Sequence, residues 1–491
     1  MIRYISTRNS EHKVSSAQAI LNGQAPDGGL YIPDDLDAIR LDYHDVIGDA
    51  GSSYDFRQMA VRVWNTFFPD YGEETIIDLV EKSYRDKFSK EEITPVSKVG
   101  DAYVLELYHG PTAAFKDVAL SALPNLLTKA RELCSFTDET LILTATSGDT
   151  GSAALCGFGD VPGTRIIVFY PEGGVSETQK LQMVTAPGSN TQATAVKGNF
   201  DDAQTGVKKL FKEIPQPAKG VSLSSANSIN IGRLVPQVVY YFAAYRQLLD
   251  MGAISDGDKV NFTVPTGNFG DIMAGYFAMK MGLPVGTLVC ASNMNDVLTE
   301  FLETGHYDRK REFFKTTSPS MDILVSSNLE RLLYYICGEE NSKRYMKELS
   351  ENGEYQISDE ELRSIREVFV GLAATDEEGS KAIGDVFAEH HYLMDTHTAI
   401  AWNCHEKFDS SDTAANVILS TASPYKFCRS VLKALGEEAA ASDYENMLRC
   451  KEITGAEIPS GLRDIFSREI RHTDVIECDE MKEYVISKSQ H

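Results

Sequence analysis

From about residue 100 onward, short apolar runs alternate with amphipathic stretches. Runs rich in β-branched and aromatic residues stand at 103–107, 140–144, 164–170, 193–196, 221–223, 259–264 and 287–290. Their length and composition suit buried strands. Between them, the segments 118–133, 175–184, 201–214, 234–249 and 272–281 space apolar residues as a helix does. This alternation predicts an α/β fold with parallel sheets and crossover helices. Ligands in such folds bind beyond the carboxyl ends of the strands, on the loops leading into helices.

The flanking regions read differently. Before residue 95, a glycine turn (Asp27-Gly28-Gly29) precedes a short apolar run, and two acidic amphipathic segments follow at 54–68 and 73–88. This predicts a small N-terminal domain over 1–95, with the α/β lobes and their cleft over 96–330. The stretch 338–400 reads as charged helices (341–369 and 379–390), with the charges on a solvated face. A last strand at 416–419 leads into a helix at 426–435. The region 331–491 is therefore expected to be a helical insertion and a C-terminal part that completes the large lobe.

Charge narrows the function classes. The 491 residues carry a formal net charge of −25. An acidic body repels phosphate backbones and anionic membrane surfaces, so nucleic-acid and membrane partners are not expected. A small anionic substrate is not excluded, because one pocket can reverse the local sign. The eight cysteines form no C-x-x-C pair, and the histidines at 390, 391, 397 and 405 lack an H-E-x-x-H or carboxylate-bridged pattern, so no metal is expected. The opening residues MIRYISTRNSEHKV hold no apolar leader, and no run of 18 apolar residues occurs. A soluble, cytoplasmic protein is expected.

Three strand-to-helix junctions combine small residues with hydroxyls or amides. In Thr144-Ala145-Thr146-Ser147-Gly148-Asp149-Thr150-Gly151-Ser152, a helix is expected from about Ser152. Free N–H groups at a helix start attract anions. Val264-Pro265-Thr266-Gly267-Asn268-Phe269-Gly270-Asp271 places two glycines where a backbone could approach a phosphate. No Gly-Lys-Ser/Thr follows, so it is not a Walker loop. Ser420-Thr421-Ala422-Ser423-Pro424-Tyr425-Lys426 puts hydroxyls past a strand end. Gly157-Phe158-Gly159 loosely suggests a dinucleotide fingerprint, but it follows a helix and precedes a strand, the reverse of the required order.

Lys116 is the most informative residue. It opens a helix after Gly110-Pro111, beside Ala113, Ala114 and Phe115. The positive end of a helix and an apolar setting both favour the neutral amine, which condenses with an aldehyde. An amine, a phosphate loop and a hydroxyl are the three elements that pyridoxal 5'-phosphate requires.

The segments HGPTAAFKD (109–117), TATSGDTGSAA (144–154), SLSSANSINIGRLVPQ (222–237), VPTGNFGD (264–271) and STASPYKF (420–427) resemble the threonine synthases. The N-terminal YISTRNSEHKVSSAQAILNGQAPDGGLYIP (4–33) is similar to the longer, bacterial and fungal type. The resemblance covers nearly the whole chain in order. It implies a fold-type II pyridoxal-phosphate enzyme, akin to the tryptophan synthase β chain, with an added N-terminal domain. Lys116 matches the lysine that carries the cofactor. Gly267, Asn268, Phe269, Gly270 and Asp271 match the cofactor-phosphate loop, and Thr421 the hydroxyl that faces the pyridine nitrogen. Ser147, Asp149 and Thr150 match the loop that receives the substrate carboxylate. Asn227 and Arg233 are carried over toward the substrate phosphate, with Lys426 and Arg429 as further basic candidates. Ser423 stands where relatives often have His, and Ala113 where many have a larger aliphatic residue. His397, in a D-x-H-T segment like that of relatives, reads as structural.

The implied reaction, the last step of threonine biosynthesis, turns O-phospho-L-homoserine and water into L-threonine and phosphate. A monomer or homodimer is expected. The nearest alternatives are a phospho-lyase that releases 2-oxobutyrate, and a catalytically silent protein that kept the fold. Loss of the lysine or the phosphate loop would mark the silent protein, and both are present.

Overall fold

One mostly parallel sheet and one parallel sheet place the loops identified above. The computed structural model describes residues 2–48, 55–410 and 413–490. One sheet has six strands, in the spatial order Phe369–Ala373, Val285–Ser292, Val260–Pro265, Ala415–Ser420, Ala102–Glu106 and Val96–Val99. All neighbours are parallel except the last pair. The second sheet runs Val475–Glu477, Thr191–Lys197, Thr164–Pro171, Glu139–Ala145 and Val221–Ser224, parallel throughout. Strands such as Val260–Pro265 are buried along their whole length, as expected where helices cover both faces.

The helix Ile231–Asp250 is buried on every side from Ile231 to Arg246. A helix apolar all round belongs in the interior, and this one packs against Gly270–Met281, Phe56–Phe67 and Lys116–Leu120. Pro236 lies inside this helix, where it leaves the Gly232 carbonyl without its i→i−4 donor. The N-terminal residues form an antiparallel sheet of Asn9–Val14, Tyr4–Ser6 and Tyr31–Pro33. It is tied across the chain by Arg8, whose guanidinium donates twice to Glu330 at 2.8 Å. Among the described residues, no helix is long and apolar enough to cross a membrane.

The structure corrects several local expectations. The stretch 341–369 is not one helical region. It holds the end of Leu329–Asn352, a strand Glu354–Gln356, the helix Asp359–Arg366 and the start of the edge strand Phe369–Ala373. Ser358 caps Asp359–Arg366 reciprocally with Glu361, which sets a new helix start inside the charged run. The segment 118–133 is two helices, Lys116–Leu120 and Leu123–Leu133, the second with a proline in its first turn. The helix after the first glycine loop begins at Asp149, not Ser152, because the turn is completed at Gly148 (φ 140°). Tyr54, expected to open a helix, lies outside the described residues, and the helix there is Phe56–Phe67.

Candidate active site

Five loops meet around Lys116, each leaving the carboxyl end of a strand. They follow Ala102–Glu106, Glu139–Ala145, Val221–Ser224, Val260–Pro265 and Ala415–Ser420. Lys116 opens the helix Lys116–Leu120 and is 9% exposed. Its loop is braced by Asp117, which accepts hydrogen bonds from the Thr112 N–H (2.8 Å) and hydroxyl (2.6 Å). The preceding residues run beside the hydroxyl loop. The Phe115 N–H donates to the Thr421 carbonyl at 2.8 Å, and the Ser423 N–H to the Ala113 carbonyl at 3.0 Å. Thr421 is thereby fixed next to Lys116. Ala113 takes φ 58°, where a larger β-branched side chain would be strained. The Ser423 hydroxyl accepts the Tyr425 N–H and caps the Pro424–Lys426 turn.

The setting of Lys116 makes its amine easier to deprotonate than that of an ordinary lysine. Burial pushes it down to about 8, aided by Arg233 and Lys426 against the opposing pull of Asp149. Asp149 Oδ2 lies 3.9 Å from the Lys116 ammonium, while its Oδ1 accepts from Lys426 at 2.8 Å and from Gln179 at 2.9 Å. Burial alone would raise Asp149, but Lys426 and Lys116 hold it well below the ordinary carboxylate range. Lys426 is held inside the protein by Asp149 and the Thr112 carbonyl. Arg429 is not part of this cluster: it is more than half exposed, and its guanidinium donates to the Ala441 carbonyl.

The Thr146 hydroxyl pins the loop beside Asp149 by accepting the N–H groups of Gly148 and Gly151, both at 2.9 Å. Ser147 and Thr150 are half-buried on the same turn. Arg233 lies in the first turn of Ile231–Asp250, 3% exposed. One of its nitrogens donates to the Ala226 carbonyl at 2.8 Å, and its Nε has no partner. Burial lowers this guanidinium to about 10. Asn227 sits half-buried three residues before the helix cap Asn230.

The phosphate loop is held by contacts remote in sequence. The Gly267 carbonyl accepts the Ser326 hydroxyl, and the Asn268 carbonyl accepts the backbone and side-chain N–H groups of Asn328. Phe269 takes the left-handed conformation at φ 61° and is buried, whereas the Asn268 side chain is exposed. Gly270 and Asp271 open the helix Gly270–Met281. Asp271 Oδ1 accepts from both Tyr240 and Tyr241, and its Oδ2 is buried without a partner. Burial raises this carboxyl to about 7. A Cβ on Gly267 would stand 2.6 Å from the Ser320 carbonyl, so only glycine fits there. Ser320 Oγ in turn accepts from the Lys116 amine at 3.4 Å.

This donor set fits pyridoxal phosphate. A buried amine lowered to about 8 lies near Asp271 at the start of the helix Gly270–Met281, and the buried Arg233 guanidinium lacks an anionic partner among the described residues. Burial raises the adjacent Asp271 carboxyl to about 7, which lessens its repulsion of an incoming phosphate. Sequence reasoning did not identify Ser320, Gln179 or Thr112. The Ser176-x-x-Gln179 capping box was readable locally. Thr112 lies inside a quoted motif, but nothing local marks Ser320.

Comparison with known proteins agrees with this reading. The family model for the threonine synthase N terminus matches residues 3–84, that for pyridoxal-phosphate dependent enzymes 92–405, and that for the threonine synthase C-terminal region 398–485. The chain is 38% identical over 477 residues to the threonine synthase of Pseudomonas aeruginosa, covering 96% of this chain and 95% of that protein. It superposes on pyridoxal-phosphate-bound threonine synthase from Brucella melitensis with a TM-score of 0.88, at 35% identity and full coverage of both chains. Yeast threonine synthase gives 0.87 at 33% identity, covering 99% of each. The match to human threonine synthase-like 1 is 36% over 451 residues and spans 60% of that longer protein. With its five loops gathered on one buried lysine and bacterial and yeast threonine synthases alike along nearly their full length, the chain belongs to the threonine synthase family of pyridoxal-phosphate-dependent enzymes.

Proposed function

We propose that this chain converts O-phospho-L-homoserine and water into L-threonine and phosphate. The observation that carries the reading is the setting of Lys116. A buried amine poised near 8 lies beside an anion loop, a hydroxyl loop and an unpaired guanidinium. Bound pyridoxal phosphate supplies the electron sink for the pair left when a proton is removed from substrate. The N–H groups of Gly267 to Asp271 hold the cofactor phosphate at a helix start. Thr421 faces the pyridine nitrogen with a neutral hydroxyl, which would not hold it protonated and so favours elimination over transamination.

Lys116 carries the cofactor and, once displaced by substrate, moves protons at Cα, Cβ and Cγ as acid and base. The turn at Ser147, Asp149 and Thr150 receives the substrate carboxylate through hydroxyls and free N–H groups. Asp149 takes part by position rather than contact, since Lys426 and Lys116 already neutralise its charge. Asn227 and Arg233 face the substrate phosphate. We further read 1–95 as an N-terminal domain and 96–330 as cofactor-binding lobes; 331–491, expected to complete the large lobe, instead adds Phe369–Ala373 and Ala415–Ser420 to the first sheet and Val475–Glu477 to the second. A cytoplasmic location and a monomeric or dimeric state complete the reading.

Product analysis tests it. The loaded enzyme is incubated with O-phospho-L-homoserine, and amino acids, keto acids and phosphate are assayed together. Threonine in step with phosphate supports the synthase. Phosphate with 2-oxobutyrate supports the phospho-lyase instead, and no phosphate release overturns the substrate assignment.

A further inference from the structure

The Asp395-Thr396-His397-Thr398 segment has no role in the reading above, yet it reaches the catalytic lysine through one residue. Asp395 caps the helix Thr396–Lys407 by accepting the backbone N–H groups of His397 and Thr398, both at 3.0 Å. It also lies 2.6 Å from His397 Nδ1. His397 Nε2 accepts the Ser320 N–H at 3.1 Å, so the ring proton is on Nδ1, facing Asp395. Both side chains are buried, and the Phe427 ring stands 5.0 Å from the imidazole.

Ser320 sits in the Pro319–Met321 turn, which crosses over the phosphate loop at Gly267. The strand-like approach to this turn is tied down separately. The Thr396 hydroxyl donates to the Thr317 carbonyl at 2.7 Å, and Asp322 accepts from Thr316 and Asn293. The Ser320 N–H is held by His397, and the turn around it is closed by the Met321 N–H donating to the Ser318 carbonyl at 3.0 Å. The Ser320 hydroxyl is not needed for these ties, and it points at Lys116 Nζ, 3.4 Å away and 204 positions distant in sequence.

We propose that Ser320, held in place by the Asp395–His397 pair, is a positioning residue for Lys116. A neutral amine that donates one N–H to Ser320 Oγ has its lone pair turned away from that contact. The tie therefore selects one rotamer of a long, flexible side chain and aims the nucleophile. This rests on Lys116 being the amine that takes up pyridoxal phosphate.

The test compares wild type, Ser320→Ala and Ser320→Thr as full-length chains stripped of cofactor, each checked for folding by circular dichroism. Two quantities are read. The first is the rate at which Lys116 captures added pyridoxal phosphate, followed by absorbance. The second is the pH midpoint at which acetic anhydride labels Lys116, read by mass spectrometry. Ser320→Ala is expected to slow capture about tenfold, the scale of a lost orienting contact. It should also lower the labelling midpoint, because a hydroxyl acceptor favours the ammonium. Ser320→Thr should restore both. A residue that served stability alone would not make the amine easier to deprotonate and slower to react. Unchanged capture with an unchanged midpoint overturns the proposal, as does a folded Ser320→Thr that behaves like Ser320→Ala. Neither readout uses substrate, so a failure to make threonine bears on the reaction assigned above and not on Ser320.

Discussion

Lys426 Nζ lies 2.8 Å from Asp149 Oδ1, and the two side chains are 0% and 3% exposed. This pair places one buried positive charge and one buried negative charge beside the Lys116 amine. Lys426 stood among the cations considered for the substrate phosphate. In the structure its ammonium is committed to Asp149 and the Thr112 carbonyl. Lys426→Met leaves Asp149 to share its charge with Lys116 alone. Removing one partner of a buried pair costs about 3–5 kcal/mol. The expected result is a lower denaturant midpoint at unchanged slope, and a Lys116 that is harder to deprotonate. Adding Asp149→Asn should recover much of the lost stability, and a double variant no better than the single one would contradict the pairing.

Lys116 should capture pyridoxal phosphate with a pH dependence that reports its own titration. The amine is lowered to about 8, chiefly by burial. Capture by the cofactor-free chain should therefore rise through that region and level off above it, well below the 10.5 of an ordinary lysine. Borohydride reduction should fix the cofactor on this residue, and Lys116→Ala should abolish both signals. A midpoint near that of a free lysine would remove the basis for assigning a neutral amine.

Asp271 gives the opposite pH signature in stability. Burial raises its carboxyl from 3.8 to about 7 in the fold. Between these values the folded chain binds a proton that the unfolded chain has lost. The contribution is thus fully present below the unfolded value and is lost as pH rises through about 7. The cofactor-free chain should lose more melting temperature between about pH 5 and about pH 8 than Asp271→Asn, which has no proton to lose. Parallel curves for the two proteins would mean that Asp271 is ionised throughout.

The chemistry was legible where it is local. The lysine loop, both glycine turns and the hydroxyl loop are each contiguous. The strands before them carry enough β-branched residues to announce a parallel sheet. Contacts made only by folding were not legible. Ser320 lies in a polar stretch with no periodicity and acquires meaning through Lys116 and Gly267. Phe369–Ala373 begins beside a charged helical run and is a strand because Val285–Ser292 offers it an edge. Val475–Glu477 is only three residues long and depends on pairing with Ala195–Lys197. Short edge strands follow from tertiary placement more than from propensity.

Gly267→Ala tests the phosphate loop sterically. The added Cβ would meet the Ser320 carbonyl at 2.6 Å, a backbone atom that cannot swing aside as a side chain does. Either the Pro319–Met321 turn or the phosphate loop must shift. The expected outcome is at least about tenfold weaker pyridoxal phosphate binding, a loss of about 1.4 kcal/mol, with little change in circular dichroism. Wild-type affinity in this variant would show that the turn does not lie on the cofactor's phosphate.

Arg233 separates the two phosphates that the site must hold. It is buried, its Nε has no acceptor, and among the described residues no carboxylate pairs with it, which suits the substrate-phosphate role proposed above. In the function proposed above, the backbone of Gly267 to Asp271 serves the cofactor phosphate at a helix start. If Arg233 serves the substrate, Arg233→Met keeps the bulk and removes the charge. The Michaelis constant for O-phospho-L-homoserine should then rise by about tenfold or more, the scale of a lost charge-assisted hydrogen bond, while pyridoxal phosphate affinity stays within about threefold. Inorganic phosphate should also lose its ability to compete with substrate. Equal losses for substrate and cofactor would assign Arg233 to the cofactor, and the leaving phosphate would then need another cation.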